Sequence, residues 1–365
     1  MNLQPTSPPE LLSIVKSGQL LLPRGGGTKP ALSTAVKGAT LLDLSRLSGM
    51  IEYEPDEYTF TAYAGTPVRE VAVELAKNGQ YLPFDPLLVD RGATLGGTVA
   101  ANASGSGRYR YGGVRDFILG LHFADGQGQL VRSGGKVVKN SAGFDLPKFM
   151  VGSLGRYGVF VDLTFKVFPA PRSNVTLTVT YPNLVAALQA TYRLACAPFD
   201  IDALDLEARD DHRFAILIRI GGLEAALPAR TERLQAFLGE DGETITTEVA
   251  LDEAEAALWQ QVREFGWVTG GLQLIKVPIP PKRIPNLEEL LPQEGWPRRY
   301  SVGGNVAWLA TADIDELDSI LTRLALAGLV FFGPPGRPYV GLRQGQVLAS
   351  RVKRSLDPAG RFPDA

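Results

Sequence analysis

Two runs of small residues carry the clearest chemistry in this chain. The first is Pro23-Arg24-Gly25-Gly26-Gly27-Thr28. The second is Arg91-Gly92-Ala93-Thr94-Leu95-Gly96-Gly97-Thr98-Val99-Ala100-Ala101-Asn102-Ala103-Ser104-Gly105-Ser106-Gly107. Such runs bury little apolar area and make poor core. They do let a bulky anion approach backbone N–H groups closely. Glycines that only make turns would explain either loop alone. Two such loops in one chain point to a single large phosphate-bearing cofactor held between them.

The commoner nucleotide motifs are absent. A dinucleotide fingerprint needs Gly-x-Gly-x-x-Gly after a strand, but Gly105-Ser106-Gly107 has Arg110 at the third position and Gly126-Gln127-Gly128 has Val131. A P-loop needs Gly-Lys followed by Ser or Thr, and Gly135-Lys136 is followed by Val137. His122 and His212 are the only histidines and lie far apart, so no paired-His metal site is expected. Cys196 is the only cysteine, which excludes an intrachain disulfide and a cysteine-bound iron–sulfur cluster, and favours a reducing compartment.

The 365 residues suffice for two domains or one large divided one. The net charge of −2, from 37 basic and 39 acidic residues, leaves no general nucleic-acid footprint. The N-terminus lacks a basic region followed by an apolar stretch, so no signal peptide is expected. A membrane-spanning helix needs about 20 mostly apolar residues. The longest apolar candidate, 324–332, falls short and reads as a helix end running into a buried strand.

The elements that must position the loops follow from pattern. Residues 10–17 read as a helix and 19–22 as a strand that Pro23 ends at the mouth of the first loop. Residues 40–44 and the alternating 58–64 read as strands. Thr66 is expected to cap a helix with Pro67 at its first position, Glu70 in its first turn and Gly79 at its end. Its apolar stripe is Val68, Val71, Ala72 and Leu75. Strands return at 114–123, 130–132 and 159–168, with Asp125-Gly126 as a hairpin turn. Helices at 184–194 and 231–238 and a strand at 214–220 follow, and a Pro-rich turn lies at 277–281. The expected class is α+β. The expected division is a cofactor domain over 1–171, a second α+β domain over 172–335 and a returning segment over 336–365.

Four motifs now stand in order: Arg24–Thr28; Ala93–Asn102; Lys139-Asn140-Ser141-Ala142-Gly143-Phe144-Asp145; and Gly152-Ser153-Leu154-Gly155-Arg156-Tyr157-Gly158-Val159. As a set they resemble the vanillyl-alcohol-oxidase type (PCMH-type) FAD-binding family. Within it they are most similar to the shorter, E-type subunits of glycolate oxidase complexes. The resemblance is strong over about 15–170 and weak in the tail. It implies a two-lobed FAD domain under an α+β cap. Carried over position by position, Arg24, Gly25, Gly26, Gly27 and Thr28, with Thr94, Gly96, Gly97 and Thr98, would hold the FAD pyrophosphate. Asn102, Ser104, Gly152, Gly155, Gly158 and Val159 would approach ribose, adenine or isoalloxazine. Relatives with covalent FAD attach it through a His where this chain has Thr28, so noncovalent FAD is expected. The tail Leu356-Asp357-Pro358-Ala359-Gly360-Arg361-Phe362-Pro363 resembles the family's closing motif without its Asn.

The implied activity is oxidation of a small 2-hydroxy acid such as glycolate within a complex. A homologous flavin subunit and an iron–sulfur subunit would be partners. The complex is expected in the cytoplasm, with membrane contact only through a partner. A self-sufficient dehydrogenase and a noncatalytic FAD-stabilised assembly subunit are the alternatives. Oxidising a 2-hydroxy acid needs a cation for the carboxylate, a base for the hydroxyl proton and an α-hydrogen facing the flavin. Two histidines cannot build the family's His cluster, so no catalytic residue is assigned. His122 reads as a packed or sheet-edge residue and His212 as surface. Lys276, Arg298 and Arg299 could bind a carboxylate, although a solvated face is the plainer reading. Tyr109, Arg110 and Tyr111 could reach the flavin or serve structure, and Cys196 reads as a small buried residue.

Overall fold

The computed structural model describes residues 2–32, 36–135, 144–209, 212–240, 242, 245–292, 294 and 296–364. The motif residues 139–143, and Asp210 and Asp211 beside His212, lie outside the described residues.

Four sheets organise the chain. Near the N-terminus, Asn2–Leu3, Thr40–Asp43 and Leu21–Arg24 form a parallel sheet with Thr40–Asp43 in the centre. The strand Leu21–Arg24 leads directly into the first Gly loop. A five-stranded antiparallel sheet holds Met50–Glu54, Thr59–Tyr63, Val159–Lys166, Ile118–Ala124 and Leu130–Gly134, in that spatial order. Gln80–Tyr81 pairs with Phe168–Pro169 in a small ribbon. The cap is a nine-stranded sheet running Thr246–Leu251, Ser173–Tyr181, Phe214–Gly222, Ala203–Ala208, Arg298–Ser301, Val306–Thr311, Gln273–Pro278, Ala327–Phe332 and Tyr339–Gly341. Its near-continuous Val, Ile and Leu strands fit a sheet covered on both faces, and Phe214–Gly222 is buried at seven of nine positions.

The cores interlock. Phe265, Leu274, Val306, Trp308 and Phe331 from the cap region pack into the same cluster as Phe60, Phe84, Leu95, Val99 and Phe165 below. Phe265 and Trp308 have ring centroids 4.7 Å apart. Helix Gln346–Leu356 and the tail return to the N-terminal sheets, where Phe362 packs with Leu11, Val15, Leu21 and Leu42.

Several local expectations change. Thr66 caps no helix: Pro67 is extended (φ −58°, ψ 132°) and occupies the cap position of Val68–Ala76. The Thr66 hydroxyl instead donates to the Tyr63 carbonyl at 2.7 Å and accepts from the Gly49 N–H at 3.0 Å, tying the strand end to a neighbouring turn. The expected strand 114–123 divides into a helical turn, Val114–Phe117, and a strand, Ile118–Ala124. The Asp116 carboxylate accepts the Gly113 N–H at 2.8 Å and so favours the turn. The hairpin after Ala124 is wider than two residues, because Asp125 accepts the N–H groups of both Gln127 and Gln129.

Candidate functional site

The first loop leaves its parallel sheet at Arg24 and faces a partly open cleft. Arg24, Gly25, Gly26, Gly27, Thr28 and Lys29 form one wall, and Thr94, Gly96, Gly97, Ala100 and Ala101 form the facing wall. Leu154, Gly155, Gly158 and Val159 close one end. The Gly loops and the turn before Val159–Lys166 therefore meet around one space. Among the described residues, the N–H groups of Gly25, Gly26, Gly27 and Thr28 donate to no protein acceptor. Four consecutive free donors, a threonine hydroxyl and the adjacent Arg24 guanidinium suit a phosphate-bearing anion.

Glycine is required here by close approach. A Cβ on Gly26 would sit 1.9 Å from the Gly92 carbonyl oxygen, and one on Gly25 would sit 2.2 Å from Thr94 Oγ1. The two loops touch backbone to backbone, which fixes the cleft width.

The second loop contributes differently. Its short helix, Leu95–Ala100, spends its first N–H groups inward: Leu95 donates to Thr66 O at 3.0 Å, Gly96 to Ala64 O at 2.8 Å, and Gly97 to Thr94 Oγ1 at 3.2 Å. Thr98, Asn102, Ser104 and Gly152 lie behind the cleft wall rather than on it. Ser104 Oγ accepts the Val114 N–H at 2.9 Å. The Asn102 carbonyl accepts from Lys276, and Gly152 N–H donates to Val99 O at 3.0 Å. The hydroxyls of Thr98 and Ser153 are buried without a hydrogen-bond partner in the protein.

The other candidates are placed as follows. His122 Nδ1 lies 2.9 Å and 3.0 Å from the two Asp162 oxygens on the five-stranded sheet, away from the cleft. His212 is exposed. Cys196 is exposed at the end of Leu184–Cys196, not buried as its type suggests. Arg110 turns to the cap, where it pairs with Asp202 at 2.7 Å, and Tyr111 follows it at 3.4 Å. Arg298 and Arg299 do not form a solvated face. Arg298 is buried and bidentate to Glu288 at 2.6 Å and 2.7 Å, and Arg299 lies 2.9 Å from Glu207 and 3.6 Å from Asp205. In the tail, Asp357 accepts the N–H groups of Arg361 and Phe362, and Lys353 donates to the carbonyls of Arg156 and Phe362. That tail braces the turn beside the cleft and does not line it.

Two cations were missed or misjudged by sequence reasoning. Lys29 is 7% exposed and Lys276 is 6% exposed. Burial pushes the Lys29 amine down to about 8. Burial, then the repulsion of Arg108 and Lys29, push Lys276 down to about 7. A lysine directly after a Gly-rich loop was a usable signal for Lys29, and a lone cation in Leu-Ile-Lys-Val-Pro was one for Lys276.

Asp205 fastens the second loop to the cap. It is fully buried and accepts from Ser106 Oγ at 2.6 Å, Ser301 Oγ at 2.9 Å and Val302 N–H at 3.2 Å. Burial pushes its carboxyl up, opposed by Arg299 and those three donors. Asp205→Ala is expected to cost about 3–5 kcal/mol, because it leaves three buried donors without an acceptor and removes one of the two carboxylates beside Arg299. A urea midpoint within error of the wild type would refute that.

Comparison with known proteins fits this geometry. A solved structure of alkyldihydroxyacetonephosphate synthase superposes with a TM-score of 0.75 at 14% identity, covering 99% of this chain and 75% of that one, and so shares the fold. Residues 2–134 match the FAD binding domain family. The class is therefore an FAD-binding fold with a cap, and its cofactor is FAD. Glycolate oxidase subunit GlcE of Escherichia coli (strain K12) is 32% identical over 356 residues, covering 94% of this chain and 91% of that protein. Glycolate oxidase subunit GlcD of Bacillus subtilis (strain 168) is 27% identical, covering 67% of this chain and 55% of that one. D-lactate dehydrogenase of Anaerostipes hadrus is 29% identical, but the match covers 48% of this chain and 37% of that enzyme. The chain belongs to the family of FAD-binding oxidoreductases that includes the glycolate oxidase subunit GlcE. Among the described residues, no helix is long and apolar enough to cross a membrane and no group of three or more His, Cys, Asp or Glu could hold a metal.

Proposed function

We propose that this chain is the FAD-carrying subunit of a 2-hydroxy acid dehydrogenase complex of the glycolate type. The observation that carries the reading is the row of four unpaired N–H groups at Gly25–Thr28 facing a cleft walled by the second loop. Those groups, with Arg24 and the Thr28 hydroxyl, would take the FAD diphosphate. Thr94, Gly96 and Gly97 would form the facing wall, and Gly155, Gly158 and Val159 would border the ribose or adenine. Thr98, Asn102, Ser104 and Gly152 support that wall from behind. Among the described residues, no His or Cys lines the cleft, which supports noncovalent attachment.

Bound FAD supplies a two-electron acceptor for hydride from the hydroxyl-bearing carbon of the substrate. The chain's own residues bind and orient it, and the cap excludes water from the junction through the shared Phe265–Trp308 core. Onward electron transfer requires partners, a homologous flavin subunit and an iron–sulfur subunit, since one cysteine cannot ligate a cluster. The lone cysteine also suits a cytoplasmic complex whose membrane contact comes from a partner. The division 1–171, 172–335 and 336–365 belongs to this proposal, with the strand Tyr339–Gly341 of the last segment still paired to the cap sheet.

The test is a visible spectrum of the purified chain, followed by acid precipitation and anaerobic glycolate. The expected result is a flavin spectrum, flavin released into the acid supernatant, and bleaching only when the partner subunits are added. A chain without flavin would overturn the reading. A second reading, in which this chain oxidises the acid by itself, is favoured by one observation: two buried lysines without an acidic partner among the described residues lie near enough to repel each other beside the cap. Bleaching by glycolate alone would establish it.

A further inference from the structure

Among the described residues, most buried charges face an opposite charge. Arg298 faces Glu288, Arg219 faces Glu255 and Lys353 faces Asp357. Lys29 and Lys276 have no such partner, and Arg156 has only Tyr339, with its ring centroid 5.0 Å away. Lys29 Nζ makes one hydrogen bond, to Thr28 Oγ1 at 3.0 Å. Lys276 Nζ reaches out of the interior cap strand Gln273–Pro278 to the Asn102 carbonyl at 2.7 Å, its one hydrogen bond. The third nearby cation is Arg108, half-buried on the turn Arg108–Tyr111 after the second loop. Among the described residues, none of the three has a carboxylate partner, and no acidic group offsets the burial of either lysine. Desolvating two like charges at one junction is costly unless an anion arrives.

We infer that Lys276, Lys29 and Arg108 form the receiving site for the carboxylate of a small organic acid, at the junction of the two Gly loops and the cap. This rests on the oxidoreductase reading, which supplies 2-hydroxy acids as the class of carboxylate on offer. The charged groups that face Lys276 are Lys29 from the first loop and Arg108 from the turn. Its other neighbours are the Asn102 carbonyl and the Trp308 ring, whose centroid is 5.8 Å away. With its amine held near 7, the lysine is largely neutral in mildly alkaline solution when the site is empty. An entering carboxylate stabilises the ammonium form, so binding draws in a proton. Affinity must therefore rise as pH falls.

Oxalate is the probe, because it is a small carboxylate with no carbon-bound hydrogen to give up. Its binding is measured calorimetrically on the full chain, flavin-loaded and flavin-free, from pH 6.5 to 9 in buffers of different ionisation heat. The expected result is binding that weakens about tenfold per pH unit on the alkaline side, with net proton uptake. Lys276→Met should weaken binding about tenfold or more and abolish most of the uptake, while leaving flavin content and circular dichroism unchanged. Lys276→Arg should keep the affinity and flatten its pH dependence, because guanidinium stays charged. No oxalate binding at pH 6.5, or binding indifferent to both pH and Lys276, would overturn the site. So would loss of flavin from Lys276→Met together with inorganic phosphate that binds the flavin-free chain and is displaced by FAD, since the cations would then serve the cofactor. If the chain carries no flavin yet binds oxalate as described, the carboxylate site stands and the flavin reading alone falls.

Discussion

Gly26→Ala is expected to yield a chain without bound flavin and less stable by about 3 kcal/mol or more. The added Cβ would lie 1.9 Å from the Gly92 carbonyl oxygen and 2.9 Å from its carbon. Real contacts of that kind stay beyond about 3 Å, so one loop must move by more than 1 Å. The obstacle is backbone, and no side chain can rotate to relieve it. Gly92 is itself held by N–H donation to Val89 O at 3.1 Å, and Ala93 by donation to Leu88 O at 3.0 Å, so displacement spreads into the second loop. Two controls separate this effect from ordinary glycine loss. Gly27 has φ +66° and its Cβ would meet only Arg24 Cδ at 3.7 Å, an ordinary contact, so Gly27→Ala should cost only about 1 kcal/mol of backbone strain and leave the loops in contact. Gly25→Ala meets the Thr94 hydroxyl, a side chain, so adding Thr94→Ala should recover part of its loss. The double mutant should remain below wild type, because Thr94 Oγ1 also caps the Gly97 N–H. Flavin absorbance per chain and the urea midpoint report both effects. A Gly26→Ala chain with full flavin content would show that the loop contact does not shape the cofactor cleft.

The contact at Gly26 also shows what sequence could and could not carry. The strand into the first loop, the loop itself and the ordered small residues of the second were visible, because they depend on local backbone demands. Which N–H groups stay free depends on distant acceptors. Leu95 and Gly96 look like anion donors in sequence, yet the carbonyls of Thr66 and Ala64 take them, and those carbonyls are brought there by the five-stranded sheet. Thr66 itself misled for a similar reason: Pro67 extends the chain, and the hydroxyl finds a better acceptor in Tyr63. Arg298, Arg299 and Lys276 look exposed as charged residues, but each lies on an interior strand of the cap sheet. Strand order in a nine-stranded antiparallel sheet is set by long-range pairing, which one sequence does not display. Ser106 was read as part of a phosphate loop, and its hydroxyl is spent on Asp205, 99 residues away.

The same two lysines make stability depend on pH in an uncommon direction. An unfolded lysine titrates near 10.5, whereas Lys276 in the fold is held to about 7 and Lys29 to about 8. Between those values the unfolded chain binds more protons than the folded one, so stability rises with pH. Below about 7 both forms of Lys276 are charged, and the full cost of burying the ammonium is present. Each lysine adds a slope of up to about 1.4 kcal/mol per pH unit once it is neutral in the fold. The useful window ends near pH 9.5, because burial raises the Tyr81 and Tyr300 hydroxyls, and groups of that kind lower stability once unfolded tyrosine ionises near 10. In the absence of added anions, the urea midpoint is therefore expected to climb from pH 7 to pH 9. Lys276→Met should raise the midpoint at pH 7 and reduce the climb, since it removes a buried charge without leaving an acid unpaired. Saturating oxalate should also reduce the climb in the wild type, because the bound anion keeps Lys276 charged in the fold. A wild-type midpoint that is flat or falls from pH 7 to pH 9, unchanged by Lys276→Met, would mean that both amines are neutralised by a group other than the described residues. The site would then have no charge left for a carboxylate to meet.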